Sequence, residues 1–238
     1  MQKPNKTVRV IAALTFGILS SSALALSTWV TDGSFSSMSG AFTIDFGVSP
    51  VNNTGPVAGS LPSGTTSGVS YSYTGGALFN YTAPPSTLSN GISARPVGST
   101  GNYWSIGPKP TAQAGPGVVS FSSGISYFGF LWGSPDAYNK LQFYNGSQLL
   151  GSFDGSAILV PPNGNQSFSK YFNVLADPGQ FITSIRFTSS TNAFETDNHA
   201  FVAAVPEPET YAMLIAGLAL LAFVGRRQFR QSTQPLPA

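Results

Sequence analysis

The 238-residue chain has no cysteine, one histidine, and charged side chains at only 8% of its positions. Each scarcity excludes something. Without cysteine there is no disulfide, so an exported domain must be held by packing, with a bound metal as the one further staple. With His199 alone, any Ser-His-Asp site would have to use that residue, and no G-x-S-x-G elbow is present. The few Lys and Arg form no basic patch of the kind that tracks nucleic acid. Between Leu26 and Pro116 no apolar period long enough for a helix occurs. What is abundant is 26 Gly, 18 Pro, 18 Phe and 9 Tyr. That mix suits short strands, tight turns and a neutral polar surface.

The ends differ from the middle. Lys3, Lys6 and Arg9 precede an apolar run, Val10 to Leu19, and then Ala23-Leu24-Ala25. This is the order of a signal peptide, with cleavage after Ala25 and a mature start at Leu26. At the other end Val205-Pro206-Glu207-Pro208 precedes the uncharged run Tyr211 to Gly225, which Arg226, Arg227 and Arg230 follow. Prolines mark a helix start because they cannot sit inside one. Apolar residues occupy every face of the 15-residue run, so it reads as a short membrane helix over 210–225, with the arginines as a cytoplasmic stop. Once both ends are set aside, Arg95, Lys109, Lys140, Lys170 and Arg186 face seven acids, a formal charge of −2.

The tail resembles the sorting signal of the PEP-CTERM family of exported proteins. The resemblance rests on Val205, Pro206, Glu207, Pro208, the apolar run with Gly217, and Arg226/Arg227. It implies export through signal peptidase and the Sec translocon, and a precursor anchored in the inner membrane. It further implies processing by an exosortase near the motif, then a place at the cell surface or in the matrix, in a context of exopolysaccharide and biofilm. Gln228 to Ala238 continue past Arg226 and Arg227, where family members often stop.

The organisation expected is therefore a signal peptide (1–25), one exported domain (26–204), the sorting signal (205–230) and a short tail (231–238). Within the domain, Ala41 to Phe46, Val69 to Tyr73, Ala77 to Tyr81, Val118 to Phe121, Ile125 to Trp132, Lys140 to Tyr144, Ser147 to Phe153, Phe168 to Val174, Phe181 to Phe187 and Ala193 to Val202 read as strands. Asn145-Gly146 predicts a type I′ hairpin turn, with positive φ at both residues. Phe181, Thr183, Ile185 and Phe187 fall on one face by alternation. The fold class is all-β, a single jelly-roll-like β-sandwich. Trp132-Gly133-Ser134-Pro135-Asp136-Ala137-Tyr138-Asn139 and Phe194-Glu195-Thr196-Asp197-Asn198 also resemble segments that recur in PEP-CTERM exported domains.

Three chemistries can be placed on residues. In an ideal strand Glu195, Asp197 and His199 share a face. Oxygen donors there suit calcium, and several jelly-roll carbohydrate-binding modules hold a structural calcium near the last strand. Glu195, Asp197 and Asn198 are the candidate calcium ligands, against the reading of a solvated face. Trp132, Asp136, Tyr138 and Asn139 combine an aromatic face with hydrogen-bonding groups and form a candidate sugar site, against a packed core tryptophan beside turn residues. Tyr103 and Trp104 look like a second exposed aromatic pair. No constellation marks a catalytic residue. The expectation is a non-catalytic, exosortase-sorted surface or matrix protein, with a carbohydrate-binding module as the alternative and a secreted hydrolase as the second.

Overall fold

β7 (Gly117–Gly133) is 17 residues long and belongs to two layers at once. Its first half pairs with β4 (Val69–Thr74) on one side and β11 (Ile182–Ser189) on the other. Its second half pairs with β10 (Ser169–Ala176) and β12 (Phe194–Ala203). The strand folds back near Gly124. The rings of Phe121 and Phe128 lie 6.3 Å apart across the fold. Phe187, the register partner of Gly117, sits 5.4 Å from Phe130. A Cβ at Gly124 would lie 2.6 Å from Phe181 Cβ, so the corner needs glycine.

The computed structural model describes residues 26–82, 91–108, 115–205 and 214–222. Ala23 and Ala25, the motif residues Pro206, Glu207 and Pro208, and Arg226 and Arg227 lie outside them. The first layer continues from β4 to β3 (Ser63–Thr66), and from β11 through β8 (Asn139–Asn145) to β9 (Gln148–Asp154). The second continues from β10 to β1 (Leu26–Thr31), and from β12 to β2 (Phe42–Thr43) and through β6 (Tyr103–Ile106) to β5 (Ala77–Phe79). All these pairings are antiparallel. The all-β expectation holds.

Between the layers lies an aromatic core. Trp104, Phe128, Phe130, Trp132, Phe143, Phe172, Phe187 and Phe194 are all at most 1% exposed. This interior does without disulfides because edge-to-face rings pack densely and add to their burial. Phe153 against Phe172 and Phe130 against Phe187 bring rings of opposite layers within 6 Å. The outer face of the first layer is small and polar, with Ser70, Ser72, Thr74, Ser120 and Ser122 exposed. The outer face of the second is buried beneath residues 91–102 and the segment after β1.

Several local expectations are corrected. Tyr103 and Trp104 are fully buried on a strand, so that pair is not exposed. The β8–β9 loop is Gly146-Ser147, because Asn145 pairs with Gln148 after a bulge at Phe143/Tyr144. Only Gly146 has positive φ, at 56°, the sign pattern of a II′ turn and not of I′. The I′ pattern occurs instead between β3 and β4, where Ser67 and Gly68 have φ of 50° and 75°. A bulge between Ile182 and Ser184 turns Ile182, not Phe181, into the core beside Ile185 and Phe187.

Residues 214–222 form a helix of nine residues whose side chains are all exposed. Among the described residues no helix is long and apolar enough to cross a membrane. The rest of the expected span, 210–213 and 223–225, falls outside them.

Candidate functional site

β12 carries the three ionisable candidates, and a bulge divides them. Asn198 adopts φ 49°, and the β12–β7 register shifts between Asp197 and Ala200. Asparagine tolerates that left-handed backbone better than most residues. The extra residue, Asn198, returns the alternation to the inner face one position late, at His199. Glu195 and Asp197 therefore point outward beneath residues 91–102, while Thr196 and His199 point into the core. The shared face expected for Glu195, Asp197 and His199 does not form.

Glu195 is 3% exposed. Its Oε1 accepts the Ala94 N–H at 2.9 Å, and its Oε2 accepts the Ser134 hydroxyl at 2.7 Å. Ser134 reaches it from a left-handed backbone, φ 39°. Burial raises the Glu195 pKa to about 8, against the pull of those two hydrogen bonds. Asp197 Oδ1 accepts the Asn198 N–H at 2.7 Å, and Oδ2 has no hydrogen-bond partner among the described residues. Burial raises Asp197 to about 6, with Ser99, the Asn198 N–H and Arg95 acting the other way. Arg95 is itself buried. Its Nε donates to Tyr81 O and its Nη1 to Gly101 O, both at 2.8 Å, and its Nη2 reaches Asn80 and Tyr81. The guanidinium thus ties the covering segment together over the two acids.

Among the described residues no group of three or more His, Cys, Asp and Glu is placed to hold a metal. Glu195 gives both oxygens to protein donors, and the Asn198 side chain donates to Ser34 O at 2.7 Å. The three calcium candidates are thus turned to holding the outer cover, and Asp197 Oδ2 is the acceptor left over.

His199 is 0% exposed and ringed by Phe46, Phe128, Phe130, Trp104 and Phe187. Its Nδ1 meets Tyr73 Oη at 2.8 Å and its Nε2 meets Thr196 Oγ1 at 2.9 Å. Burial lowers its pKa to about 3, so the ring is neutral and satisfied by two hydroxyls. A catalytic base must touch a substrate, and this ring is enclosed.

The sugar candidates form a corner. Trp132 is 0% exposed and stacks on Phe194 at 4.5 Å and Phe130 at 5.5 Å, so it has no free face for a sugar ring. Asn139 is equally buried. It accepts the Asp136 N–H at 2.9 Å and donates to Ser189 Oγ at 3.0 Å and Ala193 O at 3.1 Å. Tyr138 donates to Asn192 O at 3.1 Å. The Asp136 carbonyl accepts the N–H groups of Asn139 and Gly155 at 3.1 and 3.2 Å, and its carboxyl, raised in pKa by burial, abuts Gly164. Together they lock the β7–β8 corner to the β11–β12 connection. The first member of the expected sugar site is corrected to a core residue. An open cleft of about 470 Å³ adjoins the corner, lined in part by Lys140, Ser152, Phe153, Asp154 and Ser156.

Sequence reasoning missed Arg95, Ser134 and Tyr73. Nothing local marks them, since each matters through a partner on another element.

The exit from the domain completes the picture. β12 ends at Ala203, and the Ala204 N–H donates to Gly124 O at 3.0 Å, at the fold of β7. Val205 follows and is 77% exposed. Residues 204–228 match the PEP-CTERM protein-sorting motif, so the family match begins where the last hydrogen bond to the sandwich is made. No curated protein and no solved structure matches the chain.

Proposed function

We propose, from the premise that residues 204–228 are a PEP-CTERM protein-sorting motif, that this chain is a non-catalytic cell-surface or matrix protein delivered by an exosortase. Its working context is exopolysaccharide and biofilm. The observation that carries the reading, beside the motif, is the helix at 214–222. Leu214, Ile215, Leu218, Leu220 and Leu221 are 58–69% exposed on it. A helix apolar on all sides is stable only in an apolar surrounding, and Arg226 and Arg227 just beyond it suit the cytoplasmic side of a membrane. The enclosure of His199 and the corner role of Asp136 and Asn139 favour a structural over a hydrolytic reading of the domain.

The test is replacement of Pro206, Glu207 and Pro208 by alanine in the native cell. Membrane insertion should be unchanged, and most of the protein should stay at precursor mass. Processing to the mature mass at the normal rate would overturn the reading. Mass spectrometry of the mature protein should find Leu26 at its N-terminus.

A further inference from the structure

The two chain ends leave the sandwich at one pole. Leu26 pairs with Ala176, Leu175 with Tyr127, and Tyr127 with Val202. Leu26 and Ala203 therefore lie level with one another, three strand positions apart. Strands are about 4.8 Å apart, which puts the ends about 15 Å from each other. The fold of β7 at Gly124, the Ser67-Gly68 turn, the Gly146-Ser147 turn and the Pro178-Gly179 turn sit at this same pole. The registers require it: Tyr71 pairs with Phe121, Ser184 with Tyr144, and Ile182 with Ile125.

The pole is chemically distinct. Among the described residues its turns and exits carry one charge, Asp177, and the Arg186 side chain lines a hollow beside Gly146 and Ser147; the rest are Ser, Gly, Asn, Gln, Pro and exposed apolar groups such as Phe42, Leu149 and Val205. The opposite pole carries Asp32, Asp136, Lys140, Asp154 and Lys170, with Asp32 and Lys170 paired.

We infer that this charge-poor pole is the face held against the lipid headgroup surface of the bilayer, with the opposite pole and its cleft presented away from it. The inference rests on the anchored-precursor reading above and adds the orientation to it. Its physical basis is tether length. From Ala204, pinned to Gly124, to Tyr211 at the start of the apolar run there are seven residues. A chain extends at most about 3.5 Å per residue, so the pole lies within about 25 Å of the hydrocarbon. Each half of β7 adds about 27 Å at 3.3 Å per residue, which sets the far pole that much further out. A signal peptide ending at Ala25 would add a second tether at the same pole before its removal. The near pole carries only Asp177 in its turns, with Arg186 lining the hollow beside Gly146 and Ser147, so it meets little net repulsion from anionic headgroups.

The absence of cysteine makes the test direct. Single variants Ser123→Cys and Ser147→Cys mark the near pole and Ser167→Cys the far one. All three positions are exposed. Each is labelled with a donor fluorophore in the chain from Leu26 to Ala238, so that the C-terminal tail is the one tether, reconstituted in phosphatidylethanolamine–phosphatidylglycerol vesicles that carry acceptor headgroups. Energy transfer should be at least twofold greater from Ser123→Cys and Ser147→Cys than from Ser167→Cys. A flexible 40-residue Gly-Ser insert between Val205 and Pro206, about 35 Å in root-mean-square length, should abolish the difference. Equal transfer from all three sites in chains that float with the vesicles would overturn the orientation and leave the anchor reading standing. A difference that persists with the insert would overturn the tether as its cause. Failure of the chain from Leu26 to Ala238 to float at all would overturn the anchor reading itself.

Discussion

Glu195 is a carboxyl that the fold prefers to keep protonated. Burial places its pKa near 8 in the folded chain, against 4.5 for the free group. A raised pKa stabilises the folded state fully below the unfolded value, and that contribution is lost as pH rises through the folded value. Asp197, raised to about 6 from 3.8, adds a loss of the same sign over a lower window. His199, lowered to about 3 from 6.5, works in the opposite direction, contributing fully above pH 6.5 and losing its share as pH falls toward 3. Between pH 6 and 8 the Glu195 contribution dominates the slope. The melting temperature of the purified domain should therefore fall from pH 6 to pH 9. Glu195→Gln can still accept from Ala94 and can donate to Ser134, and it should flatten that fall. At pH 8.5 the variant should exceed the wild type by about 1–3 kcal/mol, read from denaturant unfolding. A wild-type melt that is level across this range, or a variant with the same slope, would count against the buried carboxyl.

At the scale of elements, Gly146 shows what a turn demands. No heavy atom comes within 4 Å of a Cβ built on it, so a substitution there meets only backbone strain at φ 56°. Gly146→Val should lower stability by about 1–3 kcal/mol, and Gly146→Asn by clearly less, because asparagine tolerates positive φ. A valine variant as stable as wild type in urea unfolding would remove the turn as a register-setting element. A turn at Asn145-Gly146 was legible in the sequence, but its place one residue on, at Gly146-Ser147, and its type were not, because the bulge at Phe143/Tyr144 that shifts the pairing has no local signature. The same holds at Asn198: alternation predicted one face for Glu195, Asp197 and His199, and one inserted residue separated them. Strands with clear apolar patterns, such as Lys140 to Tyr144, were readable. β3 and β6 were not, since Ser-Gly-Thr-Thr carries no apolar signal and Tyr103-Trp104 is buried only by segments far along the chain. The sorting tail was the most legible part, because its message is composition and order and needs no tertiary partner.

Across the whole molecule, the chain's scarcity of charge becomes a polarity: charge-poor turns and both exits of the domain at one end, most of the exposed ions at the other. β12 runs the length of that axis, from Phe194 near the charged pole to Ala203 at the exit, hydrogen-bonded to β7 along much of its length and to β6 over Phe194 to Thr196. This has a mechanical consequence. If the far pole is gripped by surrounding polymer while the tail is held in the membrane, the pull runs along β12. The cross-strand hydrogen bonds then share the load in parallel, as in a lap joint under shear, and cannot be opened one after another. A pull between Ser147 and Val205, both at the near pole, would instead peel strands apart in sequence. In single-molecule stretching, the domain gripped at residues 167 and 205 should rupture at a clearly higher force than when gripped at 147 and 205. The fold of β7 at Gly124, bonded directly to Ala204, would then be the point where the load passes from the tether into both layers.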